Sequence, residues 1–159
     1  MGDQIEILSK LMKYCAYQDR SESEVRGKIS SLQCEDIYVE ELIQQLKKEK
    51  FIDDERFAEQ YVKGKLRQKG WGRMKLKSYL YQKGISSTIS KKVLSAISEA
   101  EYVAVFRQNI EKWLRINRLE DNDLTKLYRF LESKGFERDM IFRKTSLVVK
   151  ELNVGRGET

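Results

Sequence analysis

Ten cations, Lys63, Lys65, Arg67, Lys69, Arg73, Lys75, Lys77, Lys83, Lys91 and Lys92, fall within residues 60–98, and no Asp or Glu lies between Glu59 and Glu99. The chemistry such a set offers is attraction of a polyanion. Ammonium and guanidinium groups that neutralise phosphates release condensed counterions, and that release supplies affinity. Aromatic residues are interleaved with the cations: Trp71, Tyr79 and Tyr81 could stack on bases, although large aromatics usually bury most of their area, so at least one of the three is expected in packing. On either side the balance changes. Residues 1–59 hold nine bases and fourteen acids, and residues 99–159 hold twelve bases and eleven acids. A basic middle of this kind concerns partners and encounter rates rather than fold.

Other chemistries find little support. The chain has no histidine, which removes the commonest general base near neutral pH and the commonest metal ligand. Cys15 and Cys34 form no zinc spacing and no disulfide framework; both are read as small core residues. Asp53, Asp54 and Glu55 could suggest a divalent-metal nuclease, but a helix start accounts for them, and no strand signal supplies a platform. The glycines of "GKLRQKGWGR" do not match the phosphate-cradling G-x-x-x-x-G-K-[ST] pattern. No cofactor or metal is expected. No apolar run approaches the roughly 20 residues a spanning helix needs, and "MGDQIEILSKLMKY" lacks the basic-then-apolar pattern of a signal peptide, so the cytoplasm is the expected location.

The elements that must position these cations are helices. There is no proline to interrupt them. A shift of 51 residues superposes Val25, Leu76 and Leu127, then Ile29, Leu80 and Leu131, then Cys34, Ile85 and Phe136, then Tyr38, Ile89 and Met140, then Leu46, Ile97 and Val148. Apolar residues in register at a fixed period signal stacked supersecondary units. Lys144 stands where Leu42 and Val93 stand in the other copies, so the last helix is expected to be more exposed. Within each copy the apolar spacing is three and four, giving three helices per unit. The predicted fold is all-α: three tandem three-helix repeats at 1–50, 51–98 and 99–159 with a short tail, forming an elongated, curved array. Repeats of this size bury too little apolar surface to stand alone, so neighbours must share it.

The predicted boundaries have chemical causes. Ser21 and Glu24 form a capping box, Asp53 is the N-cap of a helix opening with Asp54 and Glu55, and Ile52 with Phe57 makes a hydrophobic staple. Gly84 and Gly135 end helices in the left-handed conformation that a Cβ penalises. On the helix from about Gly72 to Lys83, Leu76 and Leu80 point inward, placing Arg73, Lys77 and Tyr81 on one outward row and Lys75 with Tyr79 on another. On the helix before it, Lys63 with Arg67 and Lys65 with Lys69 are like-charge i,i+4 pairs, each costing about 0.2–0.5 kcal/mol.

Two segments carry a family resemblance. "FIDDERFAEQYV" (Phe51–Val62) resembles the apolar-apolar-Asp-Asp-x-x-Phe-Ala segment of the RecX regulatory proteins. "GRMKLKSYLYQKGI" (Gly72–Ile85) resembles that family's Gly-Pro-x-[Arg/Lys]-[Ile/Leu]-x-x-x-Leu-x-x-Lys-Gly-Ile segment. "CAYQDRSESEVRGKI" is similar to its N-terminal pattern. Arg73 departs from it, standing where the family commonly has proline; a proline at the first helical position presets the helix start, so a looser entry is expected. The resemblance implies an all-helical, three-unit protein that is not an enzyme. It implies a modulator that binds RecA recombinase filaments on single-stranded DNA and usually suppresses their ATP hydrolysis, strand exchange and co-protease activity. It also implies that Asp53, Asp54 and Phe57 are architectural. The ten cations are the expected filament- and nucleic-acid-binding residues, with weak direct DNA binding and a monomeric state. Two other readings of the basic stretch are a free-standing DNA-binding module using Gly72–Lys83 as a recognition helix, and a scaffold for an acidic protein.

Overall fold

The computed structural model describes residues 2–155, and among them all regular structure is helical. Nine α-helices follow one another: α1 (Gly2–Tyr17), α2 (Glu22–Ser31), α3 (Asp36–Lys48), α4 (Asp54–Gly64), α5 (Arg73–Gln82), α6 (Ser87–Ser95), α7 (Glu99–Ile116), α8 (Thr125–Ser133) and α9 (Arg138–Gly155). The all-α prediction therefore holds, and the period reappears in the coordinates to within one residue: α2, α5 and α8 start at residues 22, 73 and 125. Val25, Leu76 and Leu127 are fully buried, and so in effect are Ile29, Leu80 and Leu131. Among the described residues no helix is long and apolar enough to cross a membrane.

The contacts group into two compact units, with borders after Tyr61, Tyr79 and Val93. One unit has a core of Leu11, Cys15, Val25, Ile29, Leu42, Ile43, Leu46 and Ile52. The other is built on Tyr102, Phe106, Ile110, Leu127, Leu131, Phe136 and Ile141, with Leu66 joining them. Phe136 is the centre of an aromatic group there, its ring 5.5 Å from Tyr102 and 5.2 Å from Phe106.

The start and stop signals act as the sequence predicts. The Ser21 hydroxyl accepts from the Glu24 N–H, and the Glu24 carboxylate accepts from the Ser21 N–H, closing the capping box. The Asp53 carboxylate accepts from the Arg56 N–H at 3.0 Å, and Ile52 and Phe57 are both buried. Gly84 and Gly135 have φ of +77° and +96°, the left-handed stop that a Cβ would strain.

Three expectations are corrected. Cys34 is only partly buried, unlike Cys15, because it sits on the connection between α2 and α3. The last helix is more exposed only at the Lys144 position, half-buried where Leu42 and Val93 are buried, and the adjacent Ile141, Thr145, Val148 and Val149 fill the interior. The helix carrying Lys63 to Lys69 is not uniform, since α4 passes into a π-helical stretch at Lys65–Lys69 that ends at Gly70 with φ +67°. The Gly70 N–H donates to the Lys65 carbonyl, five residues back. The wider turn removes the i,i+4 spacing assumed for Lys65 with Lys69.

Candidate anion-binding surface

The acid-free stretch does not deliver ten solvent-facing charges, because acids from elsewhere in the sequence fold onto four of them. In the first unit Lys83 pairs with Glu24 at 3.0 Å and Lys92 with Glu55 at 2.6 Å. In the second, Arg67 pairs with Glu101 at 2.9 Å, and Arg73 with both Glu99 and Glu137. Asp54 has a structural task as well: its carboxylate accepts from the Glu22 N–H at 2.8 Å, capping the first turn of α2, and burial pushes its pKa up.

Arg73 is the largest departure from the expected outward row. Its side chain is only 24% exposed, and its guanidinium lies 3.8 Å from the centre of the Tyr102 ring. Its backbone N–H donates to the Tyr102 hydroxyl at 2.9 Å, a bond a proline could not make. Neighbouring amides are also engaged: Gly72 N–H donates to the Lys134 carbonyl at 2.7 Å, and Met74 N–H to the Gly135 carbonyl at 2.9 Å. The entry to α5 is thus anchored by three successive hydrogen bonds rather than loosened.

The remaining members of the second unit's set are differently placed. Lys63, Lys69 and Lys77 are exposed, Lys65 and Lys75 are half-buried, and among the described residues no carboxylate lies within ion-pair distance of Lys63, Lys69, Lys75 or Lys77. Lys75 Nζ sits 4.6 Å from the Trp71 ring centre, with Lys65 Nζ at 5.2 Å. Trp71 is itself half-buried and packs on Tyr79 with centroids 4.6 Å apart, while Tyr81 is 82% exposed. In the first unit Lys91 is exposed.

Two cations that the charge count passed over belong to this surface. Lys134 follows α8, and its ammonium donates to the Lys69 carbonyl at 2.9 Å. Burial, then the nearby Lys75, Lys112 and Lys69, hold its pKa below the usual lysine value. With Arg67, Lys69, Gly70, Asn109 and Lys112 it lines a cleft of about 120 Å³ that no carboxylate enters. Asn109, buried, fixes the cleft wall by donating to the Gly70 carbonyl at 3.0 Å and to the Val105 carbonyl at 2.9 Å. Lys112 and Lys134 were hidden because residues 99–159 are nearly balanced in charge; only the recurrence of "KG" before a helix stop, at Lys83–Gly84 and Lys134–Gly135, marked the second of them.

The first unit carries another basic cleft, of about 380 Å³, lined by Lys10, Lys13, Tyr14, Tyr17, Arg20, Lys28 and Leu32. The Arg20 guanidinium lies over the Tyr14 ring at 3.9 Å and donates to the Tyr14 carbonyl. The net negative count of residues 1–59 gave no sign of it.

Comparison with known proteins agrees with this fold. Residues 53–94 match the family model described as RecX, second three-helix domain. The regulatory protein RecX of Clostridium perfringens (strain SM101 / Type A) is 35% identical over 124 residues, covering 76% of this chain and 58% of that protein. The RecX of Clostridium tetani (strain Massachusetts / E88) is 32% identical over 139 residues, covering 85% and 60%. This chain thus spans about three fifths of the length of those curated relatives. The crystal structure of RecX from Lactobacillus salivarius superposes with a TM-score of 0.81 at 27% identity, over 96% of this chain and 98% of that one. Motifs, fold and these likenesses coincide: the chain belongs to the RecX regulatory protein family.

Proposed function

We propose that this protein binds RecA recombinase filaments on single-stranded DNA and lowers their ATP hydrolysis, strand exchange and co-protease activity, acting in the cytoplasm as a monomer and not as an enzyme. Three tandem three-helix units are the proposed working architecture. The observation that carries the reading is a group of cations, Lys69, Lys75 and Lys77 joined by Lys112 and Lys134, with no carboxylate partner among the described residues, on a chain of the RecX family. Such a group is costly in an isolated protein and is relieved by a polyanionic partner. Filament contact is assigned first to Lys63, Lys69, Lys75 and Lys77. Arg67, Arg73, Lys83 and Lys92 contribute less because their charge is already compensated.

A recognition-helix reading of α5 has weaker support. Such helices read bases from their first turns, and here Arg73 and the amides of that turn are engaged in packing. The test is recombinase ATP hydrolysis on single-stranded DNA, measured while the protein is titrated in. A falling rate is expected with the wild-type chain, and a shallower fall with Lys69→Glu/Lys77→Glu, whose exposed positions leave the unfolding free energy within about 0.5 kcal/mol of the wild-type value. An unaltered rate with wild-type protein would sink the reading.

A further inference from the structure

We propose that the cleft of Lys69, Gly70, Asn109, Lys112 and Lys134 is a phosphate-binding site that seats one backbone phosphodiester of single-stranded DNA, with the Lys134 ammonium as its central donor. This deepens the function proposed above and rests on it for the identity of the strand.

The argument begins with Lys134. Lys134 is half-buried as a residue, burial disfavours its charge, and its ammonium still opens to solvent, where an anion can reach it. Here its hydrogen bond is to the neutral carbonyl of Lys69, and Lys69, Lys75 and Lys112 surround it with like charge. The other polar ties of the cleft are internal and neutral, the Asn109 amide bonds to Gly70 and Val105. Arg67 at the rim keeps one edge of its guanidinium on Glu101 and leaves the others. The cleft, about 120 Å³, has room for a tetrahedral anion. A phosphodiester entering it would meet up to four cationic donors, and each charge-assisted hydrogen bond to phosphate oxygen is shorter and stronger than a neutral one. Such contacts position a strand without reading its sequence.

The backbone fixes the cleft for this task. Gly70 takes φ +67°, and a Cβ there would come within 2.9 Å of the Asn109 amide. The Lys134 ammonium bonds the Lys69 carbonyl next to Gly70 and lies 5.8 Å from the centre of the Phe130 ring.

The experiment uses the full chain without recombinase. Binding of a fluorescein-labelled oligothymidylate is followed by anisotropy for wild type, Lys134→Met, Lys112→Gln and the control Lys48→Gln, an exposed lysine outside the basic set. Methionine keeps the apolar stem and removes the charge; Lys112 is exposed, so its variant tests the site even if the first disturbs folding, which circular dichroism checks. We expect Lys134→Met and Lys112→Gln each to weaken oligonucleotide binding on the order of five-fold, and Lys48→Gln to change it by less than about two-fold. Equal affinity of wild type, Lys134→Met and Lys112→Gln overturns the site. Competition that depends on Lys134 but is won by inorganic pyrophosphate or a nucleoside triphosphate over the oligonucleotide overturns the assignment to a strand. Parallel measurement of recombinase ATP hydrolysis separates the two proposals. An oligonucleotide bound through Lys134 with no effect on the recombinase leaves the cleft standing and removes the filament reading, whereas recombinase control and oligonucleotide affinity that both survive the two substitutions do the reverse.

Discussion

Tyr102 shows how one buried hydroxyl organises a helix entry. It is fully buried, donates to the Glu137 carboxylate and accepts from the Arg73 N–H, while its ring lies under the Arg73 guanidinium. Tyr102→Phe keeps the ring but strands a main-chain donor and a carboxylate lone pair, so it is expected to cost about 1–3 kcal/mol, measured as a lower urea midpoint with the slope unchanged. The same residue predicts an alkaline effect. Burial first, then the hydrogen bond to Glu137, push the phenol's pKa up. Below the ordinary tyrosine value near 10 both folded and unfolded states keep this proton, and Tyr102 adds no pH dependence. Above it the unfolded chain releases the proton while the folded one retains it, so stability falls as pH rises. Wild type should therefore lose stability more steeply above about pH 10 than Tyr102→Phe does. The sequence displays an arginine where the family pattern has proline. It does not display why the exchange is tolerated, because the compensating hydroxyl lies 29 residues away.

At the scale of elements, boundaries were the most legible feature and junctions the least. Ser21, Asp53, Gly84 and Gly135 act through groups within four residues, so their chemistry is written locally. The π-helical stretch is not local in origin: Leu66 enters the second unit's core, and Gly70 packs on Asn109 of α7. Glycines make the contrast measurable. A Cβ on Gly72 would lie 2.5 Å from the carbonyl carbon and oxygen of Gly135 and 2.6 Å from the Phe136 nitrogen, all main chain and unable to yield. Gly72→Ala is expected to destabilise by more than about 3 kcal/mol. Gly27, inside α2 with nothing within 4 Å, should behave oppositely, with alanine there stabilising by about 0.5–1 kcal/mol. Urea denaturation of both variants decides the matter; similar values for the two would mean that the approach of Gly72 to Gly135 is relaxed in solution.

For the whole molecule the question is how many of its charges a polyanion would feel. A period of 51 residues and an uninterrupted helical pattern made the architecture readable, because apolar positions repeat whether or not their partners are known. Charge is read less well, since an ion pair joins residues distant in sequence: Glu24 reaches Lys83, Glu55 reaches Lys92, and Glu101 reaches Arg67. Counting bases along residues 60–98 therefore overstates the field and, by stopping at Glu99, misses Lys112 and Lys134. Salt dependence separates the two classes of cation. For single strands the logarithm of affinity falls with the logarithm of salt by about 0.7 per phosphate neutralised. A lysine that contacts phosphate releases a counterion, whereas one held by a carboxylate has little to release. Lys69→Gln and Lys77→Gln are each expected to flatten the oligonucleotide salt plot by about 0.7. Lys83→Gln and Lys92→Gln should leave its slope unchanged, because Glu24 and Glu55 already compensate those ammonium groups. Equal flattening by all four substitutions would mean that the pairs dissociate when the polyanion arrives and that the linear count along the sequence was the better guide to the charge on display.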